Sequence, residues 1–448
     1  MPEELSTLSE RLLAAAKTAG ADAADVVTVD GRFVSIDVLN GKLEHAERSE
    51  GVDLGLRVLL GDRQACVSSS LTNYATLTAM AERAVAMAKE APADPYIGLA
   101  APDQLSAVRD GDALDMFDPS DPPSSDTLQK DAERAEAAAM GVDGISQVQS
   151  ASAGYGSRRV FMAASNGFRG GYERSSRSIS CVAITGDGTG MERDYCGEAR
   201  IFQVDLPSPE EVGRIAADRT LARANARRPK TGTYPVVFDE RVSASLIGHL
   251  LAAVNGAMIA RGSSWLIDAM DTEILPPSIS VTEEPLRLRT PGSRPFDSEG
   301  LATARRAIVE DGVLRSWTLD LANARKLGMK STASASRGPS GPPSPTVSNI
   351  LMTQGAQSRA DLLADMGTGL LVTSMIGSTI NPNTGDYSRG ASGYWVENGE
   401  LAYPVNECTI ASNLLDMLRT MRPANDARAH LSRVVPSLLI DGMTLAGE

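Results

Sequence analysis

The sequence predicts an α+β fold in two parts, and three observations carry that prediction. Residues 1–228 alternate amphipathic helical stretches with strand-like runs, whereas residues 229–448 read as a β-rich body with one prominent helix. Between them residues 227–233 (RRPKTGT) interrupt both periodicities with Pro, Gly and charge, which marks a domain boundary. Length agrees, because 448 residues exceed the size at which a single core normally stops growing.

The elements follow in order. Residues 8–19 place apolar side chains at helical spacing and stop at Gly20. Residues 26–29 and 33–39 alternate as strands, and Asn40-Gly41 suits a two-residue hairpin turn into further strands at 52–60 and 65–69. A helix over 74–90 is ended by Pro92. Residues 92–125 are rich in Pro, Asp and Ser without periodicity, so they form a long connection. An Ala- and Glu-rich helix over 126–140 has Asp126 or Ser125 as its cap. A β run over 146–185 turns at Asn166-Gly167, and residues 209–226 form a helix with Ser208 as N-cap and Pro209 at its first position. Past the boundary come a strand at 234–238 and the prominent helix over 239–259. The remainder is mostly β, with turns at Asp311-Gly312 and Asn398-Gly399. Residues 337–345 (RGPSGPPSP) are excluded from a sheet interior and are expected in a surface or cleft loop.

Composition narrows function. Hydrophobic residues are 42% and aromatics 4%, so Ala, Val, Leu and Ile must fill the core. A formal net charge of −14 opposes nonspecific binding to nucleic-acid phosphates or an anionic membrane. The pairs Arg158-Arg159 and Arg305-Arg306 are expected on solvated surfaces. Cys66, Cys181, Cys196 and Cys408 are dispersed, the N-terminal stretch is acidic and amphipathic rather than leader-like, and no run reaches the roughly 18 apolar residues that cross a bilayer. A cytoplasmic protein with free, mostly buried thiols is expected.

Chemistry-bearing motifs are scarce. The three histidines, His45, His249 and His430, are widely separated. Zinc hydrolases place two histidines one helical turn apart so that both converge on one ion. In SASLIGHLLAAVNGAMI (residues 243–259) His249 is followed by Leu250 and by Ala253, with no acid and no second histidine. His249 therefore reads as a hydrogen-bonded core residue, and no metal site is assigned. No G-x-S-x-G elbow occurs, and residues 328–331 (GMKS) lack the leading glycine of a phosphate loop. Gly186, Gly188 and Gly190 form a turn among strands rather than a dinucleotide fingerprint. Asp297 and Glu299, in PFDSEG, read as structural acids of an exposed loop. The most informative stretch is NPNTGDYSRGASGYWVENGE (residues 381–400), whose turn formers bend the chain sharply beside donors and acceptors, as a cleft floor requires.

Five segments together resemble the TldD/PmbA family, on its PmbA (TldE) side: SNGFRGGYERS (165–175), PFDSEGLAT (295–303), LDLANARKLGMKSTASASR (319–337), MIGSTINPNTGDYSRGASGYWVENGE (375–400) and SLLIDGMTLAG (437–447). The resemblance spans essentially the whole chain. It implies an N-terminal α/β domain and a strongly curved, barrel-like C-terminal β domain enclosing a cleft. It also implies a paired assembly in which a TldD-type zinc peptidase, carrying HExxxH and a later cysteine ligand, cuts unstructured peptides. Here His249 matches at most the first histidine, while Leu250 and Val254 stand where the glutamate and second histidine belong. No cysteine follows Cys408. The resemblance thus implies a metal-free companion without catalytic residues of its own, zinc residing in the partner. Candidate peptide-cleft residues are His249, Arg261, Ser263, Tyr387, Ser388 and Arg389. A homodimer is possible in isolation, and neither nucleic acid nor membrane is an expected partner. Two alternatives stand: a self-sufficient homodimeric peptidase, for which His249 and Glu407 are the obvious candidates, and a nonenzymatic modulator of DNA gyrase.

Overall fold

The computed structural model describes residues 4–448, Ser378 by its backbone alone; the first three residues of the acidic N-terminal stretch lie outside the described residues. The N-terminal half runs α1 (Leu5–Thr18), β1 (Ala23–Leu39), β2 (Lys42–Leu60), β3 (Arg63–Ser69), α2 (Tyr74–Glu90), α3 (Ser125–Met140), β4 (Ile145–Ala164), β5 (Arg169–Thr185), β6 (Glu192–Arg200) and α4 (Pro209–Leu221). Its strands form one antiparallel sheet in the order β3-β2-β1-β4-β5-β6. Two expected strands, 26–29 and 33–39, are one. Gly31 pairs with Gly51 on one side and Arg158 on the other, so two flanking ladders carry β1 through a glycine of weak strand preference. The Asn40-Gly41 turn forms with positive φ at both residues (55° and 67°).

Helices cover one face of this sheet. Leu8 and Leu12 of α1 and Leu77 and Val85 of α2 pack on Val26, Leu54 and Leu56. Farther along, Ala135 and Ala139 of α3 with Val212 and Ala216 of α4 cover Ile179 and Cys181. The cap of α3 is Ser124, just before the two residues expected, and its Oγ accepts from the Thr127 N–H at 3.1 Å. Ser208 caps α4 as expected, accepting from the Glu211 N–H at 3.2 Å. All four cysteines are free, three of them buried.

The second half opens with β7 (Gly232–Phe238), α5 (Glu240–Ala253) and α6 (Gly256–Ala260). It continues through β8 (Val281–Glu283), β9 (Arg306–Glu310), β10 (Val313–Leu314), α7 (Leu321–Lys326), β11 (Ala335–Ser336), β12 (Ser344–Pro345), β13 (Ile350–Met352) and α8 (Arg359–Met366). Then follow β14 (Gly369–Ile380), β15 (Asp386–Glu397), β16 (Glu400–Asn413), α9 (Leu414–Arg419), β17 (Arg422–Pro423), β18 (Arg433–Val434) and β19 (Leu438–Ala446). Strands β16-β15-β14-β7-β19 form a continuous sheet, and β19 returns to β16 through Thr409–Ala446 and Ala411–Thr444. The result is a closed five-stranded barrel, the curved β domain implied above. Leu246, Leu250 and Val254 pack α5 against Val236, Leu370 and Ile440 of its wall.

Two expectations need correction, and one is sharpened. The prominent helix is two helices, because Asn255 turns its side chain onto the Ala257 N–H (3.0 Å) and starts α6 afresh. The 337–345 loop runs in a cleft between the domains, with Gly338, Ser340, Pro342 and Ser344 exposed, and touches a strand only where Pro345 pairs with Ala335 in a two-residue ladder. Its Arg337 side chain is 1% exposed and ion-paired to Asp25, which also accepts from Arg57 Nε at 2.7 Å. Beside them Pro339 lies so close to Gly55 that any Cβ there would overlap its backbone. Finally, Arg306 is mostly buried against Glu283 (2.7 Å). Its neighbour Arg305 is exposed. Among the described residues no helix is long and apolar enough to cross a membrane.

Candidate functional site

Helix α5 starts where β7 ends. Asp239 caps it by accepting from the Arg241 N–H at 3.1 Å, and Arg241 reaches back to Asp194 of β6 at 3.2 Å, tying the helix to the N-terminal domain. This anchor had no signature in the sequence, since Asp194 and Arg241 lie far apart along the chain. About one turn before the helix ends at Ala253, His249 stands half-buried with its ring 5.8 Å from that of Tyr387 at 71°. Burial, and secondarily the charge of Arg389, push the His249 pKa below its ordinary value, so the imidazole is held neutral. Its Nε2 is buried without a hydrogen-bond partner. Thus His249 is not the satisfied core histidine that the sequence suggested.

Three of the six candidates therefore meet. Tyr387 and Arg389 are two apart on β15 and share the face turned to α5. Burial pushes the Tyr387 phenol up to about 12, and its O–H donates to Met375 Sδ at 3.3 Å. Arg389 donates from Nε to the Gly377 carbonyl at 2.7 Å. Ser388, one residue off, lies on the opposite face of the strand. Arg261 and Ser263 are elsewhere, at the end of α6. There Arg261 is exposed and lines a separate cavity of about 290 Å³ with Arg57, Glu299, Asp320 and Lys326.

The acids near that cavity are not exposed loop acids. Asp297 is 1% exposed and accepts from the N–H groups of Glu299 (2.9 Å), Leu301 (3.0 Å) and Ala335 (3.1 Å), so it ties the loop together. Glu299 accepts from the Leu321 N–H at 2.8 Å; burial first, then the neighbouring Asp297, raise its pKa to about 8. Glu407 sits in a β16 bulge with φ 49° and is ion-paired to Arg228 at 2.5 Å, not to His249. It lines a groove of about 1040 Å³ between the two domains, together with Met191, Tyr195, Met375, Ile376 and Asn406. Sequence reasoning missed this groove, because its walls come from β5, β6 and the barrel.

Zinc does not fit the His249 site. Leu250 and Val254 carry no donor, the charge that acts on the ring is the Arg389 guanidinium, and among the described residues no three His, Cys, Asp or Glu side chains converge as a ligand set.

Known proteins fix the lineage. Family profiles described as the PmbA/TldA metallopeptidase domain 1, central domain and C-terminal domain match residues 24–88, 118–224 and 231–447. The metalloprotease PmbA of Escherichia coli is 36% identical over 452 residues, covering 100% of this chain and 96% of that protein. The chain belongs to the PmbA/TldD family, on its PmbA (TldE) side. Among solved structures, a Bacteroides thetaiotaomicron protein described as a modulator of DNA gyrase superposes with a TM-score of 0.91 at 26% identity, covering 99% of each chain. TldE from Thermococcus kodakarensis superposes with a TM-score of 0.85 at 19% identity, covering 98% of this chain and 100% of that one. The family's first two profiles fall on a single sheet here, since β1 pairs with both β2 and β4.

Proposed function

We propose that this chain is the noncatalytic TldE-type subunit of a cytoplasmic TldD/TldE metallopeptidase, which holds flexible peptides in the interdomain groove while a TldD-type partner supplies the zinc and the hydrolytic step. The observation that supports this most is the His249 site: one neutral imidazole beside the Arg389 guanidinium, with aliphatic side chains at the helical positions where further ligands would stand. A guanidinium beside the ring opposes a divalent cation by direct repulsion. The groove suits an extended chain, being long, partly apolar through Met191, Met375 and Ile376, and walled by strands. On this reading the metalloprotease named in Escherichia coli PmbA is an activity of the assembly. The modulator description of the Bacteroides protein accords with an indirect effect, since a net charge of −14 opposes DNA contact.

The test mixes the purified chain with a TldD-type subunit and follows cleavage of an unstructured peptide. Activity is expected only in the mixture. Cleavage by this chain alone, undiminished after chelation, would overturn the proposal.

A further inference from the structure

One face of the N-terminal sheet carries charge without its counter-charge. Gly51, Gly31, Arg158 and Arg174 stand directly opposite one another across β2, β1, β4 and β5, so they share a face. It is the face away from α1 and α2, because Val26, Leu54 and Leu56 turn the other way. Two arginines opposed on neighbouring strands repel. The same sheet holds a second such pair, Arg177 with Arg200, and there each guanidinium has a carboxylate, Asp131 at 2.5 Å and Glu198 at 2.8 Å. Arg158 and Arg174 have none. Arg174 donates to the backbone carbonyls of Pro291 and Ser293, and its Nε is buried without a partner. Burial lowers the Arg174 pKa, and the neighbouring Arg158 and Arg294 add to that. Arg158 is exposed and, among the described residues, makes no hydrogen bond or ion pair. Its sequence neighbour Arg159 faces the other way and takes Asp30 at 2.5 Å. Acids outnumber bases 57 to 43 in this chain, so the bare pair does not reflect a shortage of carboxylates.

The space beside the pair is shaped for a ligand. A cavity of about 740 Å³ lies over this face, bounded by Phe33, Ser49, Ser176, Ile201 and Pro291. That volume suits a small molecule. Gly31 and Gly51 form its floor, and a Cβ added to either meets nothing within 4 Å. Two glycines side by side in regular strands leave bare backbone, which a flat group can approach closely. Phe33, 43% exposed, adds an aromatic wall beside that floor.

We propose that this cavity binds a small molecule that joins an oxyanion, carboxylate or phosphate, to a flat apolar body. The oxyanion bridges Arg158 and Arg174 and supplies the charge that the pair lacks. The flat body lies over Gly31 and Gly51 against Phe33. The cavity shares no lining residue with the groove proposed above to hold peptides, and the inference does not rest on that reading.

Calorimetric titration of the full chain with naphthoate, naphthyl phosphate and neutral naphthamide tests the proposal. At least one of the two anions should saturate and bind about tenfold or more tighter than naphthamide, because only the anions make charge-assisted hydrogen bonds to the arginines. The tighter anion identifies which oxyanion the site takes. Arg158→Ala should weaken that anion about tenfold or more and reduce the salt dependence of its binding. Gly31→Val, whose added side chain starts in open space on a regular strand, should fill the floor and weaken binding as much while the protein stays folded. Failure of both anions to saturate, equal binding of naphthamide, or unchanged binding in either folded variant would each overturn the proposal.

Discussion

The two sheets of this molecule solve the same problem in opposite ways. In the C-terminal domain β19 returns to β16, so the barrel has no free edge among its five strands, and α5 packs against one face of their wall. The N-terminal sheet stays open, with residues 42–53 guarded by Lys42, Glu44, Glu47, Arg48 and Glu50 rather than by another strand. Closure fixes the barrel strands so tightly that Gly393 leaves no room for a Cβ, which would overlap the Leu371 backbone. On the open edge a Cβ added at Gly51 meets nothing within 4 Å. Close packing thus marks the barrel wall, whereas the open sheet leaves its outer edge uncrowded.

The largest effect is expected where the two regions join. Asp25→Ala leaves Arg57 and Arg337 buried without their carboxylate and should cost about 3–5 kcal/mol of stability by denaturant titration. A loss below about 1 kcal/mol would mean that the 337–345 loop does not hold the domains together. Next comes the direct contrast: Gly393→Ala should lose about 1–3 kcal/mol from overpacking. Gly51→Ala should stay within about 0.5 kcal/mol. Equal costs would break the comparison. Ser208→Ala removes the α4 cap and should cost about 1 kcal/mol, as thermal melts would show. A pH dependence is expected at the junction as well. The Glu299 carboxyl is raised from 4.5 to about 8, so the stability it contributes is complete below its ordinary value and is lost as pH climbs through about 8. Glu299→Gln should flatten that decline; an unchanged stability-versus-pH curve would show that Glu299 is ionised throughout.

Much of this fold was legible because its signals are local. Helix α2 runs over 74–90 as its spacing and Pro92 require, Asn40-Gly41 turns as expected, and Ser208 with Pro209 opens α4. What escaped depends on distant partners. The charged run 42–51 lacks strand preference and is a strand only because β1 pairs with it. Arg337 reads as part of a surface or cleft loop, and Asp297 as an exposed loop acid, because nothing local reveals that Asp25 or the Ala335 N–H awaits them. Of the candidate site, the meeting of His249 with Tyr387 and Arg389 was half-legible. The residues were chosen, but their contact arises where β15 packs against α5, and Arg261, Ser263 and Ser388 fall elsewhere. The break falls at Asn255-Gly256, within an apolar periodicity that continues on either side.

The central claim is that α5 offers a divalent cation one neutral imidazole and a neighbouring positive charge. Equilibrium dialysis of the purified chain against zinc, followed by metal analysis, tests it most directly. Wild type and His249→Ala should retain the same substoichiometric amount, whereas one tightly held zinc per chain, lost in His249→Ala, would contradict the account.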